Sequence, residues 1–88
     1  MKHHTDFLLR KVGGENLLIP LGAQVMDLNG LITLNETGAF LWELLAEERS
    51  LEELAAAVTE QFEVLPEQAL ADVRTFLDEI GRRGMLQA

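Results

Sequence analysis

The run from Leu31 to Leu45 constrains the fold more than any other feature, because its hydrophobic period changes at Asn35. The four residues before Asn35 are apolar or β-branched and follow Asn29-Gly30, a dipeptide typical of β-hairpin turns. The residues after it place apolar side chains at helical spacing: Phe40, Leu41, Leu44 and Leu45. The Asn35 side chain can accept a hydrogen bond from a free amide of the first helical turn. The pattern therefore predicts a strand that leads directly into a helix.

Short extended segments before this run predict a small antiparallel sheet. Asp6–Val12 and Leu17–Leu21 lie on either side of Gly13-Gly14, a pair that tolerates the positive φ angles of a tight turn. Gln24–Leu28 is also extended, and the Asn-Gly turn connects it to Leu31–Leu34. The N-terminal third of the chain is therefore predicted to contain three or four short strands.

Three helices are predicted after the sheet. The first is Glu36–Ala46. The second, Ser50–Phe62, begins with a capping box in which Glu53 can accept a hydrogen bond from the Ser50 amide. The third, Pro66–Arg83, starts at a proline and ends before Gly84, a residue that suits a left-handed cap. A three-stranded antiparallel sheet followed by three helices is an α+β fold that resembles a winged helix-turn-helix.

The length of the chain limits it to one small domain. Eighty-eight residues form a single unit, 1–88, in which residues 1–5 are expected to be a flexible terminus. There is no cysteine, so neither disulfides nor thiolate metal sites can form. No apolar run approaches the length of a membrane span, and the first residues lack the apolar core of a signal peptide. These features predict a cytoplasmic protein that does not bind membranes.

The charge is concentrated in the helical part of the chain. The net charge is −8; residues 1–34 are balanced, and residues 35–88 contain four arginines against twelve acids. An acidic surface repels phosphate backbones, so a nucleic-acid partner is not expected. This argues against a winged-helix transcription regulator, which stays the alternative function suggested by the fold outline. The acidic side chains of the helices either increase solubility or attract a basic segment of a partner.

The sequence contains no credible catalytic, metal or cofactor site. Ser50, the only serine, has the position of a helix cap, and His3-His4 are terminal. The acidic pairs lie on polar helix faces, where nothing would separate their pKa values for acid–base catalysis. No phosphate-binding glycine motif is present. We therefore expect a protein that is not an enzyme and needs no cofactor.

The edge of the predicted sheet is the remaining candidate site. A small sheet leaves strand edges with free amides and carbonyls, which can accept an extended peptide. The third helix has a wider apolar arc than one buried stripe requires: Ala69, Leu70, Val73, Phe76, Leu77 and Ile80. The open alternatives are that the edge is simply covered within the domain or that it pairs with itself in a structural homodimer. Trp42, the only tryptophan, is expected to be a core or boundary residue.

Two motifs resemble the PqqD family. The run Leu31–Leu45 is similar to the family's Leu-Asn-Glu-Thr-Ala/Gly core, and Asp72–Ile80 followed by Gly84-Met85-Leu86 is similar to its last helix and terminus. The resemblance covers roughly residues 6 to 87. It implies a RiPP recognition element, which is a winged-helix variant with a three-stranded sheet and three helices. Such domains bind the leader part of a ribosomally made precursor peptide and present it to a modifying enzyme, often a radical SAM protein.

The resemblance also implies a binding site and a pathway. In the family, the leader peptide lies along the third strand and against the third helix. Carried over by position, the peptide-binding residues are Leu31, Ile32, Thr33, Leu34, Asp72, Val73, Phe76, Leu77 and Ile80. Members that serve pyrroloquinoline quinone (PQQ) biosynthesis carry a Cys-Asp-Gly-like turn after the first helix. This chain has Ala46-Glu47-Glu48-Arg49 there, which favours another natural-product pathway.

Overall fold

The computed structural model of the chain describes residues 1–21 and 32–87. The helices are α1 (Glu36–Leu44), α2 (Leu51–Phe62) and α3 (Pro66–Arg82). The strands are β1 (Lys2–His3), β2 (Phe7–Val12), β3 (Glu15–Pro20), β4 (Ile32–Leu34) and β5 (Leu86–Gln87). The predicted α+β fold with an antiparallel sheet and three helices is confirmed. No helix among these residues is long and apolar enough to cross a membrane.

The main sheet has three antiparallel strands in the order β2-β3-β4. The predicted hairpin between β2 and β3 is confirmed: Gly13 and Gly14 form its two-residue turn, with φ angles of 58° and 83°. Positive φ at both positions explains why glycine is favoured at each of them. The predicted strand Gln24–Leu28, the Asn29-Gly30 turn and Leu31 lie outside the described residues.

Local capping sets the ends of the helices much as the sequence predicted. The Asn35 Oδ1 atom accepts a hydrogen bond from the Gly38 amide at 2.7 Å, so β4 and α1 are joined by one capping residue. Ser50 and Glu53 form the complete capping box of α2. After α3, Gly84 has a φ of 73°, as expected for a left-handed cap. Helix α1 ends two residues earlier than predicted, at Leu44, because the amides of Ala46 and Glu47 bond to carbonyl oxygens only three residues back.

The core lies between one face of the sheet and the three helices. Its fully buried side chains come from every layer: Leu18, Leu41, Leu45, Leu54, Val58, Val73, Ile80 and Met85. Trp42 is 3% exposed and packs edge-on against Phe7, so its predicted structural role is confirmed. The apolar faces of α2 and α3 both pack into this core. Helix α3 lies beside β4, the edge strand of the sheet.

The start of the chain is paired, which corrects the expectation of a flexible terminus over residues 1–5. Strand β1 pairs with β5 in a second, two-stranded sheet, with His3 opposite Leu86. The His3 amide donates to the Leu45 carbonyl oxygen at 2.9 Å, and the His3 ring stacks on Trp42 with centroids 4.1 Å apart. These partners lie far away in the sequence, so no local pattern could reveal them.

Replacing His3 with alanine is expected to lower the free energy of unfolding by about 1 kcal/mol, the usual value of an aromatic pair. The substitution also uncovers one face of Trp42, so the tryptophan emission should shift to longer wavelength. Thermal unfolding followed by fluorescence measures both effects. His4→Ala is the matched control, because His4 contacts Met85 through its backbone amide. Equal effects of the two substitutions would contradict a role for the stack.

Candidate functional site

A groove runs between β4 and α3. It consists of two adjoining concavities, of about 390 and 290 Å³, that share Thr33, Leu34, Phe76 and Glu79. We call this surface the β4–α3 groove. Its remaining lining residues are Ile32, Asn35, Thr37, Gly38, Asp72, Thr75, Ile80 and Arg83. The strand thus forms one wall and a single face of α3 forms the other.

The hairpin turn determines which backbone groups of β3 bond to β2. The Gly13-Gly14 turn contains two residues, so Val12 and Glu15 close it as a hydrogen-bonded pair. Bonded and non-bonded pairs alternate along an antiparallel ladder, so the next bonded pair is Arg10 with Leu17. The backbone N–H and C=O of Leu17 are therefore directed to β2 and away from β4.

This alternation leaves Thr33 with outward-pointing backbone groups. Thr33 lies opposite Leu17 in the β3–β4 ladder, in a pair that does not exchange hydrogen bonds. Its N–H and C=O consequently point to the outer edge of β4, whereas Ile32 and Leu34 bond to β3. Within residues 1–21 and 32–87, no strand pairs with that outer edge. Among the described residues, Thr33 therefore has a donor and an acceptor directed to the outer edge, where an added strand could bond to them.

The side chains of β4 alternate between the core and the solvent. Leu34 is buried and Ile32 is partly buried against the core, whereas Thr33 is exposed. The sequence could not decide which face of this nearly all-apolar strand points inward, because a shift by one residue would exchange the two faces. In the structure, the two apolar side chains anchor β4 and leave its backbone at the edge.

The structure places the predicted site residues at different distances from the groove. Those that line the groove are Ile32, Thr33, Leu34, Asp72, Phe76 and Ile80. Ile80 is only 1% exposed at the base of the wall, and Val73 is fully buried in the core behind it. Leu77 is partly buried about 100° further round α3 than Phe76, on the flank away from the groove. Leu31 lies outside the described residues.

The resemblance did not identify the charged end of the groove. Glu79 accepts hydrogen bonds from Arg83 at 2.9 Å and from Arg82 at 3.0 Å. The Arg83 guanidinium holds the pKa of the Glu79 carboxyl below its usual range. The Glu79 carboxyl is therefore ionised at neutral pH, and its ion pair with Arg83 is lost only as the pH falls through that lowered pKa. Helical spacing from Phe76 could have indicated Glu79 and Arg83, which follow it by three and seven residues.

Gly38 allows the Phe76 ring to approach the start of α1. A Cβ atom on Gly38 would lie 3.3 Å from the Phe76 Cε1 atom and 3.2 Å from the Asn35 Oδ1 atom. Both distances are tighter than ordinary van der Waals contact. The glycine therefore sets the depth of the groove where strand, helix cap and Phe76 meet.

Gly38→Ala is expected to weaken ligand binding in the groove severalfold while changing the free energy of unfolding by less than about 1 kcal/mol. The methyl group displaces the Phe76 ring into the groove, and the gain in helix propensity offsets part of the crowding. Calorimetric titration and thermal unfolding measure the two quantities. Gly81→Ala is the control, because its Cβ would meet only the end of Leu86 at 3.7 Å. If Gly38→Ala bound the ligand with wild-type affinity, the position of the Phe76 ring would be unimportant for binding.

The groove supplies contact surface and hydrogen-bonding groups. In the part of the chain that the structure describes, no group of three or more His, Asp or Glu residues is arranged to hold a metal ion. Every buried side-chain nitrogen or oxygen among these residues has a hydrogen-bond partner. The described residues therefore offer a ligand the outward backbone groups of Thr33 and the apolar and charged side chains of α3.

Comparison with known proteins agrees with this fold. No curated protein is significantly similar to the chain. A solved structure, "TbiB1 in Complex with the TbiA(beta) Leader Peptide", has 23% sequence identity and a TM-score of 0.76, and the match covers 100% of this chain and 96% of that one. The family model described as "Coenzyme PQQ synthesis protein D (PqqD)" matches residues 22–86. Since this match spans most of the chain and includes both β4 and α3, the protein belongs to the PqqD family.

Proposed function

We propose that this protein is a non-catalytic adaptor that binds the leader segment of a ribosomally synthesised precursor peptide. The single observation that carries the proposal is the outward-pointing backbone of Thr33 beside the Phe76 wall. An edge strand next to an apolar helix face binds extended peptides through main-chain hydrogen bonds and side-chain pockets. Membership of the PqqD family and the shared fold with TbiB1, a protein solved with a leader peptide, support it.

The length of the groove matches a short extended segment. Asp72 on α3 and Arg83, the residue that caps its end, are eleven residues apart, which corresponds to about 16 Å along the helix axis. An extended peptide rises about 3.3 Å per residue, so the groove accommodates about five residues. Alternate side chains of such a strand would face the apolar surface around Phe76. The others would point to solvent, which predicts a leader with apolar residues at every second position.

The proposed role includes a second protein partner. A bound leader is useful only if the attached core peptide reaches a modifying enzyme, and a radical SAM protein is the proposed partner. The turn at Ala46–Arg49 supports a pathway other than PQQ biosynthesis. We place this adaptor in the cytoplasm, where precursor peptides are made.

An NMR titration of the full chain with the leader peptide of a precursor encoded beside its gene tests the function. We expect a dissociation constant in the micromolar range or below, with the largest amide shifts at Thr33 and around Phe76. A scrambled leader of the same composition is the control. Shifts confined to regions away from β4 and α3 would refute the proposed site. Concentration-dependent sedimentation of the free chain would instead support pairing of β4 edges in a homodimer.

A further inference from the structure

A second concave surface lies between α2 and α3. It is shallow and open, with a volume of about 670 Å³, and we call it the α2–α3 groove. Its floor consists mainly of small or apolar side chains: Ala55, Ala56, Thr59, Pro66 and Leu70. The Thr59 hydroxyl donates to the Ala55 carbonyl oxygen at 3.0 Å, so it is already satisfied within its own helix. The groove thus exposes an apolar surface that none of the described residues covers.

Acidic residues stand at both ends of this groove. Glu52 and Glu60 line it and are eight residues apart on α2, a separation of about 12 Å. Neither forms an ion pair with any other residue in the ranges 1–21 and 32–87. Residues 50–73 contain six acidic residues and no lysine or arginine. The apolar floor is therefore flanked by free negative charge.

The two grooves use opposite sides of α3. Leu70 and Glu79 are nine residues apart, which corresponds to about 180° around the helix. Leu70 belongs to the α2–α3 groove, and Glu79 belongs to the β4–α3 groove. An occupant of one groove therefore does not block the other.

We propose that the α2–α3 groove docks a basic amphipathic helix of the modifying enzyme while the leader peptide occupies the β4–α3 groove. On the docking helix, two cationic residues seven or eight positions apart would face Glu52 and Glu60. An apolar residue between them would contact the floor of the groove. The small side chains of Ala55 and Ala56 allow a third helix to approach closely. Naming the enzyme as the owner of this helix rests on the proposed function.

The charge of the groove disfavours a second copy of the chain as the occupant. A symmetric pair would place the same surface on both subunits, so Glu52 and Glu60 would face acids of the other copy. Like charges at an interface oppose association. A basic segment instead gains two charge contacts and covers the apolar floor.

A synthetic helical peptide tests the inference on the full chain. The probe has two lysines seven residues apart with leucines between them, and its scrambled form has the same composition. We expect the probe, and not the scrambled peptide, to shift the amides of Ala56 and Thr59. Glu60→Lys should weaken probe binding about fivefold, since it replaces an attraction by a repulsion. Ala56→Gln should weaken it without a change of charge.

The controls separate this surface from the leader site. Glu15→Lys makes the same change of charge on the exposed β2–β3 hairpin and should leave probe binding unaltered. Leader binding should be equal in the wild type, Glu60→Lys and Ala56→Gln. A failure of the proposed leader binding would therefore be recognised independently of the result with the probe. Equal binding of the scrambled peptide, competition between probe and leader, self-association through α2, or no binding at about 1 mM probe would each overturn the inference.

Discussion

Replacing Phe76 with aspartate is expected to reduce leader binding by at least about a hundredfold, because it puts a charge into the centre of the apolar wall. Phe76 is shared by both concavities of the β4–α3 groove, and its ring lies against Gly38. The side chain is only partly buried, so the fold should survive its loss. Calorimetric titration with the leader, alongside circular dichroism of the variant, measures binding and folding separately.

Leu77→Asp is the matched control for this substitution. Leu77 is also partly buried, and the change introduces the same charge on the opposite flank of α3. It should cost comparable stability and leave leader affinity within about twofold of wild type, since no binding contact is removed. If Phe76→Asp unfolds the chain while Leu77→Asp does not, Phe76 is a core residue and the site is misplaced. Phe76→Ala then measures the contribution of the ring without a buried charge.

Thr33→Pro should weaken leader binding by about 2–3 kcal/mol, or roughly 30- to 150-fold, through the backbone alone. Proline removes the outward N–H of Thr33 and places its ring where an added strand would lie. The β3–β4 ladder does not use this amide, and an edge strand tolerates proline, so the free energy of unfolding should fall by only about 1 kcal/mol. Titration and chemical denaturation give the two values.

Thr33→Val is the control for the proline substitution. Valine keeps the amide, has a similar shape and favours a strand, so the variant should bind as the wild type does. Loss of binding in both variants would attribute the effect to the hydroxyl side chain. Wild-type affinity of Thr33→Pro would show that the peptide does not add to β4 as a strand.

Local patterns predicted most of the fold because its turns and caps depend on neighbouring residues. The Gly13-Gly14 turn, the Asn35 cap and the Ser50 capping box each involve residues close together in the sequence. The pairing of β1 with β5 joins the two ends of the chain, and no short-range pattern encodes such a contact. The stacking of His3 on Trp42 was missed for the same reason.

The site was predictable in outline, and its details required three-dimensional geometry. A wide apolar arc on α3 predicted that this helix did more than close the core, and Phe76 indeed lines the β4–α3 groove. Composition could not separate Val73, which is buried, from Phe76, which borders the groove, since both are apolar. The resemblance also included Leu77, which lies on the flank of α3 away from the groove, and the width of an apolar arc does not show which of its edges faces the strand. Resemblance alone gave no reason to include Glu79 or Arg83.

The length of the β2–β3 turn has a consequence on the other side of the sheet. Two glycines between Val12 and Glu15 set the phase of the ladder, and that phase makes Thr33, and neither Ile32 nor Leu34, the residue whose amide points to the outer edge of β4. A hairpin loop of a different length could thus shift the alignment of an added strand without any change at the residues it touches. Selectivity among peptides of the same composition can therefore evolve in a turn that never contacts them.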